Sequence, residues 1–257
     1  MLTSPANPLL KDVRRALARG GLTGDGYLAA EGFHLLDEAL RSDIDVKVVL
    51  TAESAQPAVR DRLRGRPAIR VAVVDDAVFR ILADTESSQG VMTLAAPPVW
   101  KLEQLFRGQT LVVALDGLQD PGNAGAIVRA AEAFGATGAL FTKGTVSPFN
   151  PKTLRSSAGS LFRVPFVYGI EAELARAAFE ERRVDVYASR PHGARLLPDS
   201  DLRGKCALVI GSEAHGVSEP LRRGAIGLSI PTAGVESLNA SVAAGILLYE
   251  ARRQRSS

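Results

Sequence analysis

Apolar positions along this chain alternate between helical and strand-like spacing. Leu9, Leu10, Val13, Ala16 and Leu17 recur at helical spacing between Asn7-Pro8 and Gly20-Gly21. An Asn cap, a Pro in the first turn and a terminal Gly pair predict a bounded helix. Residues 27–31 then read as a strand, and Phe33, Leu35, Leu36, Ala39 and Leu40 as a helix. Strands follow at 46–50, 70–74 and 90–95, separated by a charged helical stretch to about Arg64 and a short helix at 77–83. This alternation predicts a small α/β sheet.

Ala95-Ala96-Pro97-Pro98 interrupts the pattern, because two prolines can neither extend a ladder nor enter a helix interior. A domain boundary is placed there, giving residues 1–97 and 98–257. In the second part the nearly unbroken apolar run 111–115 suits a buried parallel strand. A helix at 124–134, strands at 138–141 and 165–168, and a long helix at 171–183 follow. Strands at 184–188, 207–210 and 228–230 precede a final helix from Ser237 to about Arg253. The prediction is a second α/β domain with a mostly parallel sheet.

Composition changes this picture little. The 257 residues are 46% hydrophobic, enough for a real core, with net charge +3 and an isoelectric point near 9.2. That mild basicity is compatible with a polyanionic partner without requiring one. Arg14, Arg15 and Arg19 lie on the polar side of the first helix and are read as a solvated face in preference to an RNA contact. The single cysteine, Cys206, rules out an internal disulfide framework and reads as a small buried hydrophobe. No leader or membrane-spanning run is found, so a cytoplasmic protein is expected.

Candidate chemistry gathers where predicted strands end, the place where open α/β sheets bind ligands. No phosphate loop of the P-loop kind is present, and Gly24-Asp-Gly26 precedes a strand where a dinucleotide fingerprint must follow one. His34, His192 and His215 lack metal-ligand spacing, so no metal is expected. Three segments remain: Asn123-Ala-Gly-Ala-Ile-Val-Arg129, Gly211-Ser-Glu-Ala-His-Gly216 and Ser237-Leu-Asn-Ala-Ser-Val-Ala-Ala-Gly245. Asn123 stands where a helix N-cap belongs, and capping and substrate contact are equally open for it. Arg129 lies near a positive helix N-terminus that prefers acids, so it answers an anion or lines a cleft. Glu213 is open to three roles: base, hydrogen-bond acceptor or partner of Arg129. Gly211 and Gly216 allow close backbone approach. Asn239 is polar where packing would favour an apolar residue.

Together the segments resemble the SpoU, or TrmH, family of RNA ribose 2′-O-methyltransferases of the SPOUT class. The matching positions are Asn123, Gly125, Ile127 and Arg129; Gly211, Ser212, Glu213 and Gly216; and Ser237, Leu238, Asn239, Ser241 and Ala243. Arg155-Ser-Ser-Ala-Gly-Ser160 also looks like a family segment, and the likeness spans about residues 108–253. More loosely, Asn7-Pro8, Glu31-Gly32 and Gln89-Gly90 are similar to the family's substrate-binding domain.

The resemblance implies a C-terminal SPOUT α/β domain with a parallel sheet and a trefoil knot, preceded by a smaller α/β substrate-binding domain. It implies S-adenosyl-L-methionine (AdoMet) as cofactor, on Gly211, Ile230, Leu238, Ile210, Leu208, Gly216 and Ser241. Arg129, Glu213, Asn239, Ser237 and Asn123 become the catalytic candidates. It further implies an RNA partner, ribosomal RNA in preference to transfer RNA, and a homodimer with Ala243, Ala244 and Gly245 at its interface. The family assigns deprotonation of the ribose to the arginine matching Arg129. Neutralising an arginine at pH 7 costs about 9 kcal/mol, so either bound RNA strongly perturbs Arg129 or it orients phosphate and ribose while the proton leaves later, with Glu213 as an alternative base. The rival readings are a base methyltransferase of the same class, a catalytically silent RNA-binding or assembly protein on this fold, and, more distantly, a dinucleotide-dependent enzyme.

Overall fold

A computed structural model describes residues 1–190 and 195–256. The chain packs as two units, Met1–Val99 with Phe149–Arg163, and Trp100–Pro148 with Val164–Ser257.

In the first unit, α1 (Pro8–Arg19) begins as its sequence predicts. Asn7 Oδ1 accepts the Leu9 N–H at 3.0 Å, and Gly20 closes the helix in the left-handed region. Then come β1 (Leu28–Glu31), α2 (Phe33–Arg41), β2 (Asp45–Ala52), α3 (Gln56–Arg62), β3 (Arg70–Val74), α4 (Asp76–Leu82) and β4 (Val91–Ala96). The sheet runs β1-β4-β2-β3, with β4 antiparallel to both neighbours and β2 parallel to β3. Val13, Leu50, Val74, Phe79 and Leu94 share its core. The Glu31-Gly32 and Gln89-Gly90 pairs hold a loop in place. Buried Glu31 accepts the Asp84 N–H at 2.9 Å and the Thr85 hydroxyl at 2.7 Å, while Gln89 Oε1 accepts the Phe33 N–H at 2.9 Å. A Cβ at Gly90 would press on the Ala52 Cβ at 2.9 Å, which excludes a side chain there.

The second unit opens with β5 (Leu111–Asp116), α5 (Pro121–Ala133) and β6 (Gly138–Thr142). The chain then contributes α6 (Pro151–Ser157) to the first unit, where Arg155 pairs with Asp84 at 2.8 Å and Arg163 with Glu38 at 2.7 Å. The sequence reading put residues 149–163 in the second domain and placed no helix there. Leu154 is the one large aliphatic side chain in α6, so no helical period shows, although the Asn150-Pro151 start signal is present and Asn150 caps at 2.9 Å.

The remaining elements are β7 (Phe166–Ile170), α7 (Ala172–Glu181), β8 (Asp185–Ser189), β9 (Arg195–Leu196), β10 (Cys206–Gly211), α8 (Glu219–Arg222), β11 (Ile226–Ser229) and α9 (Ala240–Arg255). Seven strands order as β7-β6-β5-β10-β8-β11-β9, every pair parallel. β5 is buried along its whole length, as expected for a central parallel strand covered on both faces. Cys206 is buried at the start of β10. Burial pushes its thiol up to about 11 against the opposing pull of Arg255, so it is protonated at neutral pH and is no nucleophile.

The last helix differs from its prediction at both ends. It begins at Ala240 because Asn239 is its cap, and it runs on to Arg255. There the guanidinium donates to the carbonyls of Leu202 (2.8 Å), Gln109 (2.9 Å) and Thr110 (3.1 Å), fastening the helix beside the starts of β5 and β10. Ala243 and Ala244, expected at a dimer interface, are buried within their own unit, where α9 packs on α5 and beside β10. The exposed apolar face of α9 carries Val242, Ile246 and Tyr249 instead. Among the described residues no helix is long and apolar enough to cross a membrane.

Candidate active site

β5 and β10 are neighbours at the centre of the seven-stranded sheet, with Gly211 level with Asp116. Chain order reverses there, with β6 and β7 on one side and β8, β11 and β9 on the other. Such a switch point opens a crevice at the carboxyl ends of the strands. Two of the motif segments leave directly from β5 and β10. The third follows β11.

The first segment corrects a local expectation. Asp120, not Asn123, caps α5, accepting the Asn123 N–H at 2.6 Å, with Pro121 in the first turn. Asn123 therefore sits inside the helix with its amide free for other partners. Its Nδ2 donates to Glu213 Oε1 at 2.7 Å, and its Oδ1 accepts from Asn239 Nδ2 at 3.0 Å. Asn239 Oδ1 in turn accepts the N–H groups of Ser241 (2.9 Å) and Val242 (3.3 Å) and the Ser241 hydroxyl (2.7 Å). Every donor along this chain faces an acceptor, and it links all three segments.

The second segment is a tight turn. Ser212 and Gly216 exchange backbone hydrogen bonds at 3.2 and 2.8 Å, and the His215 N–H donates to Ser212 Oγ at 3.1 Å. A Cβ on Gly211 would overlap the Gly216 backbone and the Val217 nitrogen, so no side chain fits there. The turn leaves Glu213 exposed, its Oε1 held by Asn123 and its Oε2 without a partner among the described residues.

A cleft of about 270 Å³ opens over these strand ends. It brings together the expected Ile210, Gly211, Glu213 and Gly216 with Ile230, Ser237 and Leu238. Leu208 does not reach it. That residue is fully buried within β10 and packs the sheet. Ser241 also lies outside the lining, its hydroxyl spent on Asn239. Arg129 is exposed on α5 with no ion pair or hydrogen bond among the described residues, so Glu213 meets Asn123 rather than Arg129. Sequence reasoning missed Ser189, Arg190, Thr232 and Glu236, which also line the cleft. The strand-end argument had the means to find Ser189 and Arg190, since β8 ends there beside β10. No group of three or more metal-ligating side chains stands together among the described residues, and His192 lies outside them.

Residues 110–249 match the model of the SpoU rRNA Methylase family, and residues 7–93 match that of the MRM3-like substrate binding domain. The chain is 35% identical to an uncharacterized tRNA/rRNA methyltransferase of Synechocystis sp., over 99% of its own length and 94% of that protein's. It is 31% identical to the 23S rRNA (guanosine(2553)-2′-O)-methyltransferase RlmP of Bacillus subtilis, over 98% of both chains. Among solved structures, the SpoU methyltransferase AviRb of Streptomyces viridochromogenes in complex with AdoMet superposes with a TM-score of 0.87 at 28% identity. That match covers 98% of this chain and 99% of the other.

Proposed function

The chain belongs to the SpoU rRNA methylase family, and on that premise we propose that it transfers a methyl group from AdoMet to a ribose 2′-hydroxyl of ribosomal RNA in the cytoplasm. The observation that carries this reading is the Ser241–Asn239–Asn123–Glu213 chain, which joins all three motif segments beside the cleft.

The cleft suits AdoMet. Ile210, Ile230 and Leu238 offer apolar walls for a purine, and Gly211 keeps the backbone bare where a Cβ has no room. Glu213 and Glu236 answer positive charge, and Arg190 answers a carboxylate. When bound, AdoMet supplies an electrophilic methyl group on a sulfonium that leaves as a neutral thioether. The protein's own work is then alignment and management of one proton. Exposed and unpaired Arg129 orients the ribose and its phosphate, a task that matches a planar five-donor guanidinium. Glu213, steadied through Oε1 by Asn123, offers Oε2 to the proton that leaves the 2′-oxygen as the O–CH₃ bond forms. Ser237 lines the cleft and Asn239 holds Asn123.

The first unit is read as the RNA-holding part. Lys11, Arg14 and Arg15 form an exposed stripe on α1. The one acid on α1, Asp12, accepts the Gly24 N–H at 2.8 Å and stands 4.0 Å from Arg15. Like charges at this spacing repel by a few tenths of a kcal/mol per pair, and a phosphate backbone relieves that repulsion. The protein is read as a homodimer, supported by the exposed apolar stripe Val242, Ile246 and Tyr249. The trefoil knot implied by the resemblance belongs to the same reading, supported by the packing of α9 on α5 and beside β10.

Transfer of labelled methyl from AdoMet to purified ribosomal and transfer RNA tests the proposal. Label in ribosomal RNA that survives alkaline hydrolysis as a dinucleotide is the expected result. Label on a nucleobase, or none in ribosomal RNA, overturns it.

A further inference from the structure

Asp116 ends β5, and the mechanism above gives it no task. The residue is 5% exposed, and its carboxylate makes no ion pair among the described residues. A buried carboxylate without a cation is unfavourable unless hydrogen bonds compensate. Here Oδ1 accepts the Thr142 hydroxyl at 2.9 Å, and Oδ2 accepts the Ser218 N–H at 2.6 Å.

These two bonds reach the roots of two of the three segments that build the site. Thr142 ends β6, and its Oγ1 accepts the Gly117 N–H at 3.2 Å, a donor also shared by Thr145 Oγ1 at 3.0 Å. Gly117, at a φ of 67° that favours glycine, begins the segment leading to Asp120 and Asn123. Ser218 ends the segment that starts at Gly211 and carries Glu213. Its own hydroxyl is buried without a partner among the described residues, and its tie to Asp116 is through the backbone N–H.

We propose that Asp116 is a positioning residue whose carboxylate anchors both loops and so sets the 2.7 Å contact between Asn123 and Glu213. The inference rests on the reading that the cleft holds AdoMet. Asp116 touches neither the cleft nor the reacting atoms. It acts through the loops.

The test uses the full chain, with AdoMet binding followed by calorimetry and RNA binding measured separately. Asp116→Ala removes both anchors, so AdoMet Kd rises about tenfold while RNA affinity stays within about twofold. Asp116→Asn rescues to within about threefold. Its amide oxygen takes the Ser218 N–H, its NH₂ donates to Thr142 Oγ1, and that hydroxyl turns to the Leu115 carbonyl, 3.4 Å away. Ser218→Ala changes nothing, since the lost hydroxyl has no partner. If Asp116→Ala fails to fold, Thr142→Val removes one anchor at nearly constant volume and weakens AdoMet binding about threefold. A folded Asp116→Ala or Thr142→Val protein that binds AdoMet like the wild type overturns the proposal, as does equal loss of AdoMet and RNA binding. A wild-type chain that binds no AdoMet overturns the functional reading and this inference with it.

Discussion

In the proposed mechanism Arg129 and Glu213 divide the chemistry, and their surroundings differ. Glu213 is held from one side by Asn123, while Arg129 has no protein partner among the described residues. The account therefore expects Arg129→Lys to lose at least about tenfold in kcat/KM for RNA with AdoMet affinity unchanged. A lysine keeps the charge and loses the planar fork. Near-full activity in that variant contradicts an orienting role for the guanidinium. Glu213→Gln keeps an oxygen for the Asn123 amide and removes the proton acceptor, so kcat falls about 100-fold while the protein stays folded. A fully active Glu213→Gln enzyme shows that the proton leaves by another route. Both side chains were identifiable from their segments. The Asn123–Glu213 contact was not, because it joins positions 90 residues apart.

At the level of elements, α1 carries its own prediction. Reversing Lys11 and Arg14 to glutamate leaves the buried face of Leu10, Val13, Ala16 and Leu17 untouched. RNA binding then weakens, and the slope of log K against log salt falls by about 2, with AdoMet binding unchanged. An unaltered slope returns α1 to a solvated face. α1 and β5 were legible because burial dictates one face of the helix and the whole apolar run of the strand. α6, α8 and β9 were not, since α8 and β9 are too short to show a period and α6 has Leu154 as its one large aliphatic side chain. The start of α9 was misplaced because Ser237 was read as opening the helix with Asn239 in its first turn, and the bonds Asn239 makes to Ser241 and Val242 make Asn239 the cap.

For the whole molecule, the strand-helix alternation predicted the sheet class, but strand order was beyond its reach. Nothing local states that β10 lies against β5, yet that adjacency places Gly211 beside Asp116 and creates the crevice. The same limit hid the placement of residues 149–163, whose Arg155 and Arg163 pair with Asp84 and Glu38, far away in sequence. The proposed homodimer uses the exposed stripe on α9, and on that proposal Val242→Glu combined with Ile246→Glu yields a monomer by light scattering. A variant that keeps the dimeric mass contradicts that assignment. The central claim, AdoMet-dependent methylation of a ribose in ribosomal RNA, is tested most directly by nucleotide-resolution mass spectrometry. Ribosomal RNA from cells lacking the gene is compared with RNA from cells complemented by the wild-type or the Arg129→Ala chain. The account predicts one 2′-O-methyl nucleotide that disappears with the gene, returns with the wild type and stays absent with Arg129→Ala. An identical set of ribose methylations in all these cells contradicts it.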